Sequence, residues 1–185
     1  MTLDDIKDAI ENSNNIVIFA HEKPDGDAIG SSLAFYMAMK NIGKNVEVII
    51  PHYAESYRFL PCSNEAKVEP SLNKYDLAIS VDCSDLKRLV GGKEYFETAK
   101  RTIEIDHHSV NSMFADFNYV DPVAPACCQV LIGMFEYFGI DIDKELGTCL
   151  LTGIITDTGG FQYSSVTSDT FEFAAQLLRK GVNIS

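Results

Sequence analysis

The side chains that could do chemistry in this sequence are carboxylates and imidazoles that follow short apolar runs. Such runs are typical of buried strands, and α/β proteins bind their ligands beyond the carboxyl ends of parallel strands. The groups are His21, Asp25 and Asp27 after residues 16–20, Asp82 after residues 77–81, and Asp106, His107 and His108 after residues 102–105. A further acid, Asp157, stands after a helical pattern, just before a Gly-Gly pair. We therefore expect these groups to meet at one rim of a sheet.

A gathering of carboxylates at one rim predicts divalent metal ions. Like charges a few ångströms apart cannot all stay ionised unless cations lie among them. Oxygen-rich ligation with a few imidazoles suits Mn²⁺ or Mg²⁺ better than Zn²⁺ or copper, and no thiolate is placed to compete. We expect two ions about 3.5–4 Å apart, an arrangement that activates a shared water and hydrolyses phosphate esters.

The spacing of the acids suggests how two ions would share them. Pro24 and Gly26 bend the chain around Asp25, so that Asp25 and Asp27 can serve neighbouring ions. Asp82 stands alone after what should be a central strand. We therefore expect Asp82 to bridge the two ions.

The adjacent histidines should have different roles. Because His107 and His108 are consecutive, their side chains should point in different directions. We expect one of them to bind metal and the other to face the substrate. Asp106 would then orient an imidazole from behind the ligands.

A second feature favours an anionic substrate. Gly30 and Ser31 stand where a loop enters a predicted helix, and the free N–H groups and dipole of a helix start favour phosphate. Glycine and serine are also ordinary residues at helix starts, so this signal has a purely structural alternative. We count Gly30 and Ser31 among the candidate substrate contacts.

The predicted elements alternate between strands and helices. Apolar or β-branched runs predict strands at residues 16–20, 46–50, 77–81 and 102–105. Helical spacing predicts helices at residues 3–10, at 29–37 with an end at 41–43, at 125–138 and at 144–156, and a last helix starting near Asp169 and ending at 180–181. This alternation favours an α/β fold with a mostly parallel sheet and helices on both faces. Residues 51–70 are the least regular region.

Length and composition describe one acidic domain. The chain has 185 residues, and at about 150 residues per domain this predicts a single domain. The net charge of −12 argues against docking on long nucleic acids or anionic membranes through bulk positive charge. No apolar run approaches the roughly 18 residues of a membrane span, and the first ten residues do not read as a secretory signal.

The cysteines predict a reducing compartment. Cys62, Cys83, Cys127, Cys128 and Cys149 form an odd set without a CxxC spacing. We expect reduced thiols in a cytoplasmic protein, with a structural role as small buried residues, and no zinc ribbon.

Four segments of the chain carry a resemblance to a known family. They are residues 21–31 (HEKPDGDAIGS), 81–85 (VDCSD), 105–108 (IDHH) and 156–161 (TDTGGF). In this order they resemble the four motifs of the DHH phosphoesterase family. The longer segments IDHHSVN and TGIITDTGGFQYSS look most like the branch of nanoRNases that are also 3′-phosphoadenosine 5′-phosphate (pAp) phosphatases.

The resemblance implies a five-stranded, three-layer DHH domain with a centre of two divalent ions. Mn²⁺ is the expected metal, with Mg²⁺ or Co²⁺ as alternatives. His108 would contact the scissile phosphate, with Asp106 as the other catalytic residue, and we count Asn111 of the same motif among the substrate contacts. One ion would be held by His21, Asp25 and Asp82, and the other by Asp27, Asp82, His107 and Asp157.

The resemblance also implies that residues 1–185 are a catalytic domain and that a C-terminal substrate domain lies outside this chain. We expect a linker to that domain to begin at residues 184–185. Two departures from the family pattern bear on substrate contacts rather than on metal. Gln162 stands where relatives often have Arg or Lys, and residues 126–129 (ACCQ) replace a stretch usually richer in Ser or Thr and ending in Glu.

The expected activity is hydrolysis of short oligoribonucleotides and of pAp. Alternatives are a cyclic-dinucleotide phosphodiesterase, a manganese pyrophosphatase, or a metal-loaded nucleotide-binding module with little turnover. The expected partners are short single-stranded RNA or a mononucleotide, without long duplexes or membranes, and a homodimer is left open. Candidate base-stacking residues are Tyr163, Phe161 and Phe114, although aromatic residues are more often core. His52 is a weaker site candidate, and Asp85 is either a supporting acid or a helix cap.

Overall fold

A computed structural model describes residues 2–89 and 91–183 of the chain. The expected linker at residues 184–185 lies outside the described residues. The five strands are β1 (Asn15–Phe19), β2 (Asn45–Ile49), β3 (Leu77–Val81), β4 (Arg101–Asp106) and β5 (Phe117–Val120). The helices are α1 (Leu3–Glu11), α2 (Gly26–Asn41), α3 (Lys93–Thr98), α4 (Cys127–Phe138), α5 (Lys144–Asp157) and α6 (Ser168–Arg179).

The five strands form one fully parallel sheet in the order β2-β1-β3-β4-β5. The predicted α/β architecture is therefore confirmed. The chain moves from β1 outward to β2 and then returns to the other side of β1 for β3. In a sheet of this order the crevice between the carboxyl ends of β1 and β3 is the expected place for a ligand.

Alternate residues of the strands face two cores, one on each side of the sheet. In β1, Ile16 and Ile18 enter the larger core with α1, α2, α4 and α5, while Val17 and Phe19 enter a smaller core with Phe96 of α3. All five residues of β3 are buried, as expected for a central strand covered on both faces. Within the described part of the chain, no helix combines the length and apolar character needed to cross a membrane.

Some predicted boundaries needed correction. The predicted start of the last helix near Asp169 is confirmed within one residue, since α6 begins at Ser168, where the side chain of Thr167 caps it and accepts from the N–H of Thr170. α4 begins at Cys127 rather than at residue 125. Residues 51–70 contain two short 3₁₀ helices, Glu55–Tyr57 and Ser63–Glu65.

Gly30 lies inside α2, where this helix packs against α5. A Cβ atom at Gly30 would lie 2.5 Å from the carbonyl oxygen of Cys149, which is backbone and cannot swing away. Gly133, on the exposed side of α4, has nothing within 4 Å of its Cβ position. The packing of α2 against α5 therefore requires glycine at position 30, whereas α4 does not require glycine at position 133.

These two glycines give a matched prediction on stability. Gly30→Ala is expected to lower the free energy of unfolding by about 1–3 kcal/mol, because the added methyl group forces the helices apart. Gly133→Ala is expected to raise it by about 0.5–1 kcal/mol, because alanine restricts the unfolded chain more than glycine does. Urea unfolding measures both. Equal effects of the two substitutions would contradict the close packing of α2 on α5.

Candidate metal centre

The structure brings the predicted ligands together at the carboxyl edge of the sheet, beside the crevice between β1 and β3. Donor atoms of three residue groups each lie within 4.8 Å of one another. The groups are His21, Asp25 and Asp82; Asp27, His107 and Asp157; and Asp82, His107 and His108. Asp82 belongs to the first group, and its Oδ1 lies 3.4 Å from Nε2 of His107 in the second, so its carboxylate is near the residues of both groups.

The ends of β1 and β3 deliver His21 and Asp82. His21 follows β1 after one residue, and its Nε2 atom lies 3.8 Å from Oδ2 of Asp82. Asp82 follows β3 directly and has a left-handed backbone with φ of +54°. A non-glycine residue is rarely found in this conformation, and such strain concentrates at functional sites. The backbone at Asp82 turns here to present its carboxylate at the rim.

The first turn of α2 supplies two more carboxylates. Asp25 caps this helix, and its Oδ1 accepts from the N–H groups of Asp27 and Ala28 at 3.1 and 3.0 Å. This leaves its exposed second oxygen free to face the rim. Asp27, two residues later, points inward and is fully buried.

The start of α4 holds Asp27 in place. The carboxylate of Asp27 accepts from the backbone N–H of Cys127 at 2.5 Å and from that of Cys128 at 2.9 Å. α5 leaves room for it, since a Cβ at Gly153 would lie 2.5 Å from Oδ1 of Asp27. Burial, and then the nearby Asp157 carboxylate, raise the pKa of Asp27 to about 6. The sequence analysis missed Cys127, Cys128 and Gly153 as supporting positions.

His107 points its Nε2 atom into the carboxylates. Its Nδ1–H donates to the carbonyl oxygen of Ala124 at 3.2 Å, which fixes the direction of the ring. Nε2 then lies 3.3 Å from Asp157, 3.4 Å from Asp82 and 3.7 Å from Asp27. Burial opposes a charge on this imidazole, but Asp157 and Asp82 outweigh burial and raise the pKa of His107 to about 11. The surroundings of Nε2 thus strongly favour positive charge.

Two buried atoms test whether these residues fit divalent metal. Oδ1 of Asp82 and Nε2 of His107 are buried and have no hydrogen-bond partner among the described residues. Buried polar atoms without a partner are rare, and a cation between them would satisfy both. Burial, and then the Asp27 carboxylate, also raise the pKa of Asp82 well above its ordinary value, because both disfavour its charged form, and a nearby cation would offset them. The residues therefore fit divalent ions held by oxygen and imidazole ligands.

The neighbouring His108 is held differently. Its Nδ1–H donates to Oδ1 of the fully buried Asp106 at 2.7 Å, and its side chain is 39% exposed. Because the hydrogen bond to Asp106 occupies Nδ1 while Nε2 of His107 is unpartnered, the geometry favours His107 as the metal ligand. His108 can face a bound molecule, with Asp106 as its orienting group. This arrangement favours one of the two alternatives that the spacing left open.

Asn111 lies behind the centre rather than on its open side. Its Nδ2 donates to Oε1 of Glu104 at 2.6 Å and to Oδ2 of Asp106 at 2.7 Å, and its Oδ1 accepts from the N–H of Met113 at 2.6 Å. All three hydrogen bonds of the amide are made within the protein, which favours a positioning contact, and the expected substrate contact of Asn111 stays a prediction. Glu104, which the sequence analysis missed, is fully buried, and burial raises its pKa to about 7.

Removing the Asn111 amide is expected to disturb His108 through Asp106. Asn111→Ala leaves the buried carboxylates of Glu104 and Asp106 without their shared donor. We expect a loss of about 1–3 kcal/mol in the free energy of unfolding, and a fall of about 10–100-fold in turnover. Asn118→Ala is the matched control, because that amide makes two hydrogen bonds, both to Ala115 and neither to Asp106. The control should lose stability with little loss of turnover, whereas parallel losses in both variants would contradict a positioning role.

Other predicted positions lie away from the open rim. Gly30 and Ser31 are buried within α2, so the structure favours their helix-packing alternative over substrate contact. Asp85 acts as a cap, because its Oδ1 accepts from the N–H of Lys87 at 2.9 Å. Phe114 packs against the ring of Phe96 in the smaller core.

Of the stacking candidates, Tyr163 is the open one. Tyr163 is 61% exposed, and its ring lies over Gly159. Gly159 is two residues after Asp157 in the chain. Phe161 stacks on Phe171 with ring centroids 5.4 Å apart. Tyr163 therefore offers an accessible aromatic face near the metal ligands, as a stacking contact requires.

Comparison with known proteins identifies related sequences and structures. The profile of the DHH family, N-terminal domain, matches residues 15–154. The chain is 34% identical over 177 residues to the bifunctional oligoribonuclease and PAP phosphatase NrnA of Thermus thermophilus, covering 92% of this chain and 51% of that protein. It is 30% identical over 181 residues to a probable manganese-dependent inorganic pyrophosphatase of Lactobacillus helveticus, covering 90% and 55%.

A solved structure shares the same fold over nearly the whole chain. It is the crystal structure of an exopolyphosphatase-related protein from Bacteroides fragilis, with 30% identity and a TM-score of 0.91, and the match covers 98% of this chain and 57% of that one. The chain thus spans about half the length of the curated relatives it matches.

Proposed function

This chain belongs to the DHH family, and from that premise we propose that it hydrolyses phosphate esters of short oligoribonucleotides and of pAp. The observation that carries the proposal is a pair of buried atoms without a hydrogen-bond partner among the described residues, Oδ1 of Asp82 and Nε2 of His107, one in each of two groups of candidate metal ligands. The similarity to the Thermus oligoribonuclease and PAP phosphatase supports the substrate class. We also propose that residues 1–185 form the catalytic part of a longer enzyme.

The proposed ligand sets follow the observed groups. His21, Asp25 and Asp82 would hold one ion, and Asp27, Asp82, His107 and Asp157 would hold the other. Mn²⁺ suits these ligands, and Mg²⁺ or Co²⁺ are alternatives. When bound, two such ions supply an activated water and neutralise charge on the phosphoryl group.

The chain's own residues orient and stabilise the reacting phosphate. Asp106 accepts the Nδ1 proton of His108 and thereby directs Nε2 toward the open rim. The hydrogen bond to Asp106 raises the pKa of His108, which favours an imidazolium that donates from Nε2 to a phosphoryl oxygen. Because Asp106 is itself held by Asn111, this donor is in place before the substrate arrives. Such prearranged donors stabilise charge that develops in the transition state.

The charge of the protein supports short substrates. A net charge of −12 repels long polyanions, so binding would depend on the local centre rather than on a basic track. Tyr163 would stack on a base of a short single strand. The cysteines are all free, which supports the cytoplasm as the compartment of this enzyme.

A pyrophosphatase is the second candidate, because the Lactobacillus relative named as a probable manganese-dependent inorganic pyrophosphatase is 30% identical to this chain. The two activities differ in what must fit beside the centre. A nucleotide substrate needs space for a sugar and a base, whereas pyrophosphate needs only positive charge.

One assay separates the proposed activities. The purified chain is loaded with Mn²⁺ and offered the dinucleotide pApA, pAp, cyclic di-AMP and pyrophosphate, with EDTA as the control. We expect mononucleotide release from pApA and phosphate release from pAp. Turnover of pyrophosphate alone would favour the second candidate, and turnover of cyclic di-AMP alone a cyclic-dinucleotide phosphodiesterase. Bound Mn²⁺ and nucleotide without turnover of any substrate would favour a binding module.

A further inference from the structure

A cavity of about 370 Å³ opens beside His21, at the carboxyl ends of β1 and β2. The segments that follow these strands run side by side, because the N–H of Ala20 donates to the carbonyl oxygen of Ile49 at 3.3 Å. We call this space the β1–β2 cavity. Its lining residues are Ala20, His21, Glu22, Lys23, Pro24, Pro51 and His52.

The lining combines apolar walls with groups that can bind an anion. Ala20 and the rings of Pro24 and Pro51 provide apolar surface, which suits the flat faces of a nucleoside. The ammonium group of Lys23 and the imidazole of His52 make no hydrogen bond or ion pair with any residue in the described ranges. Both groups are therefore available to a bound molecule.

Arg88 adds a second cation beside His21. It ends the 3₁₀ helix Leu86–Arg88, and its carbonyl oxygen accepts from the N–H of Glu22 at 2.8 Å, which ties this turn to the cavity wall. Its guanidinium lies 3.0 Å from Nδ1 of His21, and no carboxylate of the described residues lies within ion-pair distance of it. In a chain with a net charge of −12, this half-buried cation lacks an acidic partner.

The contact between Arg88 and His21 conflicts with the hydrogen bond between His21 and the carbonyl oxygen of Glu22. Nδ1 of His21 also lies 2.6 Å from the carbonyl oxygen of Glu22, and one nitrogen cannot both donate to that carbonyl and accept from the guanidinium. Because a carbonyl oxygen can only accept, the 2.6 Å contact places the proton on Nδ1, and Nδ1 donates to the carbonyl whether or not metal occupies Nε2. Arg88 then needs another acceptor, and phosphate oxygens are the acceptors that best match its geometry.

We propose that the β1–β2 cavity is a nucleotide subsite, in which Lys23 of the lining and Arg88, which contacts the cavity wall at His21 and Glu22, bind a phosphate that is not hydrolysed while Pro24, Pro51 and His52 surround the nucleoside. This inference rests on the proposed function, because it assigns the part of the substrate that lies beside the reacting phosphate. Both pAp and a dinucleotide carry a second phosphate group next to a nucleoside. One subsite of this kind therefore accounts for both substrates.

The Glu22 carboxylate favours a nucleoside monophosphate over small inorganic anions as the ligand of this cavity. It lines the same cavity and repels compact anions of high charge. A nucleoside monophosphate carries its charge at one end and can keep it beside Arg88 and Lys23. Inorganic phosphate and pyrophosphate lack the nucleoside that the apolar walls accept, so they are the poorer occupants.

Binding of AMP without metal tests the subsite. The purified chain in EDTA is titrated with AMP, adenosine and inorganic phosphate, with affinity from calorimetry and the His52 imidazole signals from NMR. We expect AMP to bind more tightly than the other two and to shift the His52 signals. Arg88→Gln and Lys23→Ala should each weaken AMP binding at least about tenfold, because each removes a charged hydrogen bond. Lys74→Ala is the control. Lys74 is an exposed lysine that precedes the amino end of β3, whereas the cavity lies at the carboxyl ends of the strands.

The outcomes separate this subsite from the catalytic proposal. AMP binding without any shift at His52, or with the same affinity in both variants as in the parent chain, would overturn the subsite. Because the titration needs neither metal nor turnover, a chain that hydrolyses nothing can still pass it. Conversely, hydrolysis of pAp with unchanged KM in Lys23→Ala and Arg88→Gln would leave the catalytic proposal standing without the subsite. Lys23 is exposed, so its variant also serves if Arg88→Gln fails to fold.

Discussion

Asp82→Asn is expected to remove bound metal and to lower hydrolysis at least about 100-fold. Asp82 belongs to the group with His21 and Asp25, and its Oδ1 lies 3.4 Å from Nε2 of His107, so we expect a single substitution to weaken both cation sites. Changes in residues that only support metal ligands cost about 10–100-fold in metal affinity or activity, and the loss of a shared ligand should exceed that range. Elemental analysis after loading with Mn²⁺ and dialysis measures the metal content, and phosphate release from pAp measures the rate.

The same variant should be more stable than the parent chain when both are kept in EDTA. Burial and the Asp27 carboxylate disfavour a charge on Asp82, and asparagine removes that charge. Asparagine also tolerates the left-handed backbone at this position better than most residues. Thermal unfolding in EDTA should therefore show a higher midpoint, while addition of Mn²⁺ should raise the midpoint of the parent chain only. This combination separates a lost ligand from a damaged fold.

Asp85→Asn is the matched control for Asp82→Asn. It makes the same chemical change three residues away, and an asparagine at position 85 can still cap the following turn with its Oδ1 atom. Metal content and rate should stay at the parent values. Unchanged metal content and rate in Asp82→Asn itself would refute its position between two ions.

The sequence predicted the carboxylates and histidines at the carboxyl edge of the sheet because their positions depend on where short apolar segments end. The runs that became β1 and β3 are buried on both faces and therefore read as short, mainly apolar stretches. The run of β4 was recognised from its β-branched residues Thr102, Ile103 and Ile105, although it contains Glu104. The candidate ligands His21, Asp82 and His107 stand within two residues of the ends of β1, β3 and β4. β5 gave no such signal, because its residues, Phe117–Val120, are only half-buried and include Asn118 at the sheet edge.

The supporting contacts could not be predicted because they join residues far apart in the chain. The carboxylate of Asp27 is held by the backbone N–H groups of Cys127 and Cys128, about a hundred residues later. Gly153 matters only because α5 passes close to that carboxylate. Every residue except proline has a backbone N–H, so the residue type does not reveal which N–H groups bind a carboxylate. A glycine within a helix can be required for several different reasons. These contacts became visible only when the packing of α2, α4 and α5 was known.

Residues in the correct motif can still have side chains that contact the protein rather than the open rim. Gly30 and Ser31 match a phosphate-binding pattern, yet the helix that carries them turns both toward α5 and the core. Asn111 belongs to the segment of the two histidines, but its amide faces Glu104 and Asp106. Spacing identifies which segment reaches the site, whereas the direction of a side chain depends on tertiary contacts.

His108→Ala is expected to keep both ions and to lower turnover by about 10²–10³-fold, the usual cost of removing one donor to a developing oxyanion. The physical reason is that the two consecutive imidazoles point in different directions. His108 is directed outward by Asp106, whereas His107 points its unpartnered Nε2 into three carboxylates. Only one of them is placed to reach the substrate.

His107→Ala is the matched variant that makes this prediction sharp. The two substitutions remove the same side chain at adjacent positions, so general effects on folding should be similar. We expect His107→Ala to lose one ion per chain and His108→Ala to lose none, as measured by elemental analysis. If His108→Ala instead lost an ion while His107→Ala kept both, the two roles would be reversed. Because Asp106 acts through His108, Asp106→Asn combined with His108→Ala should cost little more than His108→Ala alone, whereas independent roles would multiply the two losses.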